Sequence, residues 1–430
     1  MIKRYISESL LDALADTPVV FLNGARQTGK STLVQDIAAH GHPARYLTFD
    51  DGAVLAAAHT DPAGFLASFE EAEESIVLDE VQRVPDIFLA LKAAIDRDRR
   101  PGRVLLTGSA NRLLLPHLAE TLVGRMEVLT LWPFSQGELA EVRESFIDTV
   151  FAKSSLPTLP VTTEMWSALV ERILRGGYPE ALSRKTETRR GAWFGSYVTT
   201  LLQRDVRDLS NIESLTTFPR LLTLLATRTG ALLNTSELSR GLGMPLSTLK
   251  RYLALLETMF LVQSLPAWSG NLGKRLVKAP KIVLNDTGLA AHLLGTNTAA
   301  LKASRDIAGP LLENFVVMEL RKQATWSQLQ PQLFHFRTQT GQEVDIVLED
   351  REGRLVGIEV KASKTVSSRD FKGLRVLAEA VGTRFQRGIV LYTGTESLPF
   401  GPNLYALPIQ ILWADYEEET QGRETHTLSP

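Results

Sequence analysis

The sequence predicts a multidomain α/β protein: a parallel sheet built around a phosphate-binding loop, a helical region, a helix–turn–helix module and a second α/β domain. Three observations carry that expectation. In the N-terminal third, short apolar runs alternate with helical stretches, the pattern of a parallel sheet covered on both faces. One of those runs leads straight into a glycine-rich segment at residues 24–31. Far downstream, acidic residues and a lysine interrupt two otherwise apolar strand-like segments, 341–348 and 357–362.

Composition sets the outer bounds. The chain has 430 residues, no cysteine, 47 Lys+Arg against 49 Asp+Glu, and 44% hydrophobic residues. At ~150 residues per domain, that length implies about three domains. No apolar run approaches the ~18 residues of a membrane span, so a membrane partner is not expected. The N-terminal MIKRYISESLLDALADTP carries acids within its apolar stretch and reads as an amphipathic helix, not a signal peptide. Lack of cysteine excludes disulfide scaffolds, thiol nucleophiles, Cys-ligated zinc and iron–sulfur clusters, and suits a cytoplasmic protein. The formal net charge of −2 is not that of a generic polycation. The charge is uneven, however: residues 1–140 hold 13 Lys+Arg and 19 Asp+Glu, whereas residues 161–280 hold 16 and 9. A basic middle segment points to a polyanionic partner, although an ordinary charged helical surface has the same balance.

Along the chain, strands are expected at Val19–Asn23, 45–49, 76–78 and Val104–Thr107, with 128–131 as a fifth, and helices at 31–39 and 87–96. A stretch rich in Pro, Ser and Thr at 153–163 reads as a loop. The expected divisions are a phosphate-loop domain at 1–140 and a helical lid and linker at 141–230. A winged helix–turn–helix follows at 231–275, a second α/β domain at 276–416, and a polar, disordered tail at 417–430.

The phosphate site is the strongest local signal. Gly24-Ala25-Arg26-Gln27-Thr28-Gly29-Lys30-Ser31 is a complete G-x-x-x-x-G-K-[ST], preceded by a strand and opening a helix that continues through Thr32. Glycines let backbone N–H groups converge on phosphate oxygens, and the helix N-terminus adds partial positive charge. Lys30 would reach the β- and γ-phosphates of ATP and Ser31 would hold Mg²⁺. A second apolar strand ends in Asp79-Glu80; Asp79 would hold the Mg²⁺ hydration shell and Glu80 would polarise the attacking water. The strand at Val104–Thr107 ends in a polar tip, where Ser109 and Asn111 are candidates to sense the γ-phosphate.

The segments GARQTGKST, LDEVQRVP, LLTGSAN, LVGR, GGYPE and RDVRDL follow one another in order across the chain. With them the sequence resembles the AAA-type P-loop ATPases, and more narrowly a prokaryotic family that joins such an ATPase to a C-terminal domain of unknown function. The resemblance implies ATP hydrolysis and an arginine that completes the ATP site. Arg125 is the first candidate, with Arg175, Arg204 and Arg207 as rivals. It also implies a possible homo-oligomer, because AAA-like ATPases often form rings.

NTSELSRGLGMPLSTLKRYLALLETMFLVQSL reads as helix, turn, helix, then strand. Thr235-Ser236 would cap the first helix, and Gly243-Met244-Pro245 breaks it. Leu249, Leu253 and Leu256 face inward on the second helix, leaving Ser247, Thr248, Lys250, Arg251 and Tyr252 outward or at its edges. Hydroxyls and cations on a recognition helix suit DNA phosphates and base edges. Winged helices also serve as protein-binding modules.

In the last domain, a strand repeats its side-chain direction every two residues, so Glu359 and Lys361 share a face, and Asp345 lies on the preceding strand. With Glu313 on an upstream helix, this set resembles the PD-(D/E)xK nucleases, whose fold is that of restriction endonucleases. The resemblance implies Asp345 and Glu359 as Mg²⁺ ligands, Lys361 as the catalytic lysine and Glu313 as an additional acid of the metal site. An inert internal Glu–Lys–Asp ion-pair network is the competing expectation. His335 reads as a strand residue, not a ligand. The combined expectation is an ATP-hydrolysing protein acting on DNA, its alternative an ATP-controlled regulator whose nuclease-like domain does not cut.

Overall fold

The apolar run at β1 (Val19–Asn23) is buried along its whole length, because both of its faces are covered. One face (Val20 and Leu22) packs with Ile6, Leu10 and Leu14 of the amphipathic helix Ile6–Asp16. The other (Val19 and Phe21) packs with Phe88, Leu91 and Ile95 of the helix Ile87–Arg97. The period of two along a strand makes this division. β2 (Ala44–Thr48), β3 (Ser75–Asp79), β4 (Val104–Thr107) and β5 (Met126–Thr130) complete a five-stranded sheet in the order β2-β3-β4-β1-β5. Every pairing in it is parallel. Parallel strands end at one common edge, so the segments leaving β1, β3 and β4 converge, and that edge is where open α/β sheets bind ligands.

The computed structural model describes residues 2–69, 74–108, 121–152, 166–209 (203–209 as backbone only), 217–271, 273, 275 and 278–414. Ser109, Asn111, the 153–163 stretch, the tail from 417 and the side chains of Arg204 and Arg207 lie outside the described residues. No helix among the described residues is long and apolar enough to cross a membrane.

Helices Trp166–Arg175, Glu187–Leu209 and Thr217–Ala226 share one core with the helix pair Thr235–Leu242 and Leu246–Thr258. Asn234, not Thr235, caps the first of that pair, its side chain accepting from the Glu237 N–H. β6 (Val262–Leu265) then pairs antiparallel with β7 (Lys281–Leu284), Leu265 opposite Lys281. This hairpin spans the division expected at 275/276. The backbone hydrogen bonds of β7 go to β6 and to Ala231 and Gly230, which ties it to the segment carrying the helix pair.

The last domain is a six-stranded mixed sheet in the order β12-β13-β11-β10-β9-β8, comprising β8 (Gln332–Arg337), β9 (Glu343–Glu349), β10 (Leu355–Lys361), β11 (Phe385–Tyr392), β12 (Leu398–Gly401) and β13 (Leu404–Pro408). Leu348, Val356 and Leu391 join the core around Leu311 and Phe315 of the helix Arg305–Gln323. Val347, Leu355 and Val390 pack instead with Leu374 and Leu377 of the helix Lys372–Val381. The Arg305–Gln323 helix also meets the N-terminal domain. The Glu319 carboxylate accepts from the Gln136 N–H at 2.8 Å, and Lys322 Nζ reaches Glu319 at 2.6 Å and the Phe134 carbonyl at 2.9 Å.

Candidate functional site

The loop between β1 and the helix Lys30–Asp36 closes tightly. Gly24 (φ 151°) lies so near the neighbouring chain that a Cβ there would stand 2.3 Å from the Leu131 carbonyl oxygen. Gly29 (φ 93°) turns the chain into the helix. Gln27 is left-handed as well (φ 65°), a conformation that costs a non-glycine residue ~1–2 kcal/mol and that clusters at functional loops. Thr28 Oγ1 donates to the Ala25 carbonyl at 2.9 Å.

Lys30 is buried and points back into the loop, its Nζ donating to the carbonyls of Gly24 at 3.1 Å and Ala25 at 2.8 Å. Burial pushes its pKa down to about 8, against the opposing pull of Glu80 and Asp79. The two carboxylates come from the tip of β3 at the same edge. Asp79 is buried, accepting from Tyr46 Oη at 2.6 Å and from Thr107 Oγ1 at the tip of β4. Burial and the Asp79 bond push the Tyr46 hydroxyl up to about 12. Glu80 is left-handed (φ 61°), its N–H donating to Thr107 Oγ1 and its carboxylate accepting from Gln82 Nε2. Thr107 therefore touches both acidic residues, a part the linear pattern hides. Its trace was a hydroxyl ending an apolar strand.

Beside the loop lies a cavity of about 820 Å³, bounded by Thr28, Gly29 and Thr32 on one side and by Arg172, Arg175 and Pro179 on the other. Arg172 donates to Gln136 Oε1 at 3.0 Å. Ser31 is half-buried in the first turn of the helix. Arg125 is not at this site. It precedes β5, its carbonyl accepting from Val19 N–H at the start of β1 and its Nε bonded to Asp96 at 2.6 Å. The whole of β1, ~16 Å at 3.3 Å per residue, separates it from the phosphate loop of its own chain. The parallel register of β1 and β5 puts the start of β5 at the edge of the sheet opposite the phosphate loop.

The helical region presses on the loop from above. Tyr197 Oη donates to the Arg26 carbonyl at 3.2 Å, Tyr178 Oη lies 3.2 Å from Tyr197 Oη, and Asn285 Nδ2 donates to Tyr178 at 3.4 Å. Burial raises both tyrosines above their ordinary pKa, so the chain of hydroxyls stays neutral.

On the helix Leu246–Thr258, Ser247, Lys250 and Arg251 are exposed and Thr248 is half-buried. Tyr252, expected at the outer edge, is instead in the core, its ring 4.4 Å from that of Phe218.

In the C-terminal sheet, antiparallel pairing of β9 and β10 brings Asp345 beside Glu359 and Val360, and the Val360 N–H donates to Asp345 Oδ2 at 3.0 Å. Lys361 Nζ stands 3.3 Å from Glu359. Glu313 joins them through a residue the sequence pattern did not single out for the centre: Lys281, whose ammonium lies 2.7 Å from Glu313 and 3.2 Å from Asp345. Its signal was a charge at the head of the apolar strand Lys281–Leu284. Burial, then the like charge of Asp345, raises the pKa of Glu313 and of Glu359. Burial opposes the Lys281 charge, but Glu313 and Asp345 outweigh it and hold its pKa above the ordinary value. Among the described residues, no three His, Cys, Asp or Glu side chains are grouped to hold a metal ion. The set expected to hold Mg²⁺ does not fit one as arranged, because an ammonium takes the place between Glu313 and Asp345. His335 is a β8 residue, its Nε2 3.1 Å from the Ala279 carbonyl and its pKa pushed down to about 4 by burial.

Residues 16–140 match the family model of an AAA domain. Residues 167–300 and 308–412 match two domains of unknown function, DUF8612 and DUF4143. The uncharacterized protein Mb2031c of Mycobacterium bovis is 32% identical over 409 residues, 94% of this chain and 83% of its own length. The same figures hold for the uncharacterized protein Rv2008c of Mycobacterium tuberculosis. Among solved structures, the Walker-type ATPase paby2304 of Pyrococcus abyssi aligns with 68% of this chain and 96% of its own at 16% identity, with a TM-score of 0.42. AMPPCP-bound DnaA from Aquifex aeolicus aligns with 59% and 86% at 16% identity and a TM-score of 0.25.

Proposed function

We propose that this chain, which belongs to the family of the mycobacterial proteins Mb2031c and Rv2008c and carries an AAA domain, is an Mg·ATP-hydrolysing switch that acts on DNA. The observation that carries this reading is Lys30. A buried ammonium held by loop carbonyls, with Asp79, Glu80 and Thr107 at the adjoining strand tips, is a cation placed to meet phosphate oxygens. The loop from Gly24 to Thr32 offers backbone N–H groups to phosphates, Lys30 reaches the β/γ-phosphates, and Ser31 and Asp79 hold Mg²⁺. Mg²⁺, when bound, neutralises charge on the transferred phosphate. Glu80 orients the attacking water. Among the described side chains, Arg175 at the cavity wall is a candidate for the arginine that completes the site, beside its rivals Arg204 and Arg207.

DNA contact falls to the exposed Ser247, Lys250 and Arg251 and to Thr248, in a helix–turn–helix with its β6–β7 wing. The C-terminal domain is read as restriction-endonuclease-like in fold. Of its two possible roles, the ion pairing of Lys281 with Glu313 and Asp345 favours the one without cutting, in a nucleotide-controlled DNA-binding protein.

The test is ATP turnover by the full chain, with and without duplex DNA. Turnover that rises with DNA and vanishes in Lys30→Ala supports the proposal. Turnover unaffected by Lys30→Ala, or indifferent to DNA in the absence of any DNA binding, overturns it. Plasmid cleavage in Mg²⁺ or Mn²⁺ that disappears in Asp345→Ala would overturn the non-cutting role alone.

A further inference from the structure

The C-terminal charge cluster draws two members from outside its sheet, Glu313 from the Arg305–Gln323 helix and Lys281 from the β6–β7 hairpin. Lys281 heads β7 and is fixed there twice, opposite Leu265 in the hairpin and bridged to Leu232 on its other side. From that position its buried side chain crosses to the Arg305–Gln323 helix and to β9, meeting Glu313 at 2.7 Å and Asp345 at 3.2 Å. Two further carboxylate oxygens are also occupied. Asp345 Oδ2 accepts from the Val360 N–H, and Glu359 is paired with Lys361. Gly230 packs so closely on Glu313 that a Cβ there would lie 3.0 Å from Oε2. Three carboxylates face two ammoniums, so little negative charge is left over. Mg²⁺ asks for near-octahedral oxygen ligands at ~2.0–2.1 Å, with several waters retained. Lys281 Nζ instead stands between Glu313 and Asp345, where such an ion would sit.

We infer that Lys281, not a divalent cation, is the resident cation of this carboxylate centre, and that the centre is a metal-independent ion-pair lock fastening the helix–turn–helix hairpin onto the C-terminal sheet. The lock extends the non-cutting role proposed above and leaves the ATPase reading untouched. Breaking a buried pair by removing one partner strands the other charge, so each side of the lock depends on the other.

Mn²⁺ binding to the full-length protein, counted by electron paramagnetic resonance, tests the first half. Wild type and Asp345→Asn are compared, so that any ion near the phosphate loop cancels. Equal Mn²⁺ counts are expected. One ion fewer in Asp345→Asn would show a metal in the centre and overturn the inference. Thermal melting tests the second half. Lys281→Met is expected to melt at least ~5 °C lower than wild type, and to recover part of that loss in Mn²⁺, which wild type does not show. An unchanged melting temperature in Lys281→Met would mean that no lock exists. If that variant does not fold, Lys281→Arg, which keeps the charge, should fold and melt near wild type, and the Mn²⁺ counts still decide. ATP turnover, measured on the same proteins, reads the ATPase proposal separately.

Discussion

Lys281 opens the short strand β7 and Asn285 directly follows it, and each is bonded to a different centre. Lys281 sits between Glu313 and Asp345, while Asn285 begins the Tyr178–Tyr197 chain that ends on the Arg26 carbonyl of the phosphate loop. Asn314, next to Glu313, bonds both the N–H and the carbonyl of Leu284 between them. Four residues of strand, ~13 Å, therefore separate the two centres, with buried hydrogen bonds along the way. The phosphate loop thus has a short, packed connection to the C-terminal domain.

Nucleotide binding should take up a proton. Burial holds Lys30 at about 8 in the ligand-free site, and phosphates favour its charged form, so its pKa in the complex is higher. Affinity is then fully present below pH ~8 and falls as the pH rises through that value. Calorimetric titration of ATP at pH 8.5, in two buffers of different ionisation enthalpy, should show proton uptake that disappears in Lys30→Ala.

Glu80→Gln should bind ATP as tightly as wild type while kcat falls ~10²–10³-fold, because only the orientation of water is lost. Arg175→Ala should lower kcat at least ~10²-fold with modest change in KM. Arg125→Ala should leave turnover of the isolated chain near wild type. A large loss there that depends on protein concentration would instead place Arg125 across a subunit boundary.

Tyr197→Phe removes the hydroxyl that donates to the loop. It should cost ~1–2 kcal/mol of stability by chemical denaturation, and raise KM for ATP several-fold with little change in kcat. A merely structural tyrosine would show the first effect without the second.

Lys250→Ala and Arg251→Ala should each weaken duplex DNA binding across all sequences and lower the slope of log K against log salt by about 1. Fluorescence anisotropy over a salt series measures this. Unchanged slopes would shift the helix pair to protein contact.

Some of this protein is written locally and some is not. The phosphate loop was legible from Gly24 to Thr32 because its chemistry lies in consecutive residues, and five strands and the paired helices were legible because burial imposes a short period on nearby positions. The joint placement of Asp345, Glu359 and Lys361 followed from alternation along two neighbouring strands. Long-range register decided the rest. Only the pairing of β1 with β5 sends Arg125 to the edge away from the loop, only the packing on Phe218 turns Tyr252 inward, and only the β6–β7 hairpin carries Lys281 into a cluster from another domain. Each of these depends on contacts between residues well separated along the chain, and no period encodes which distant partner a side chain will meet.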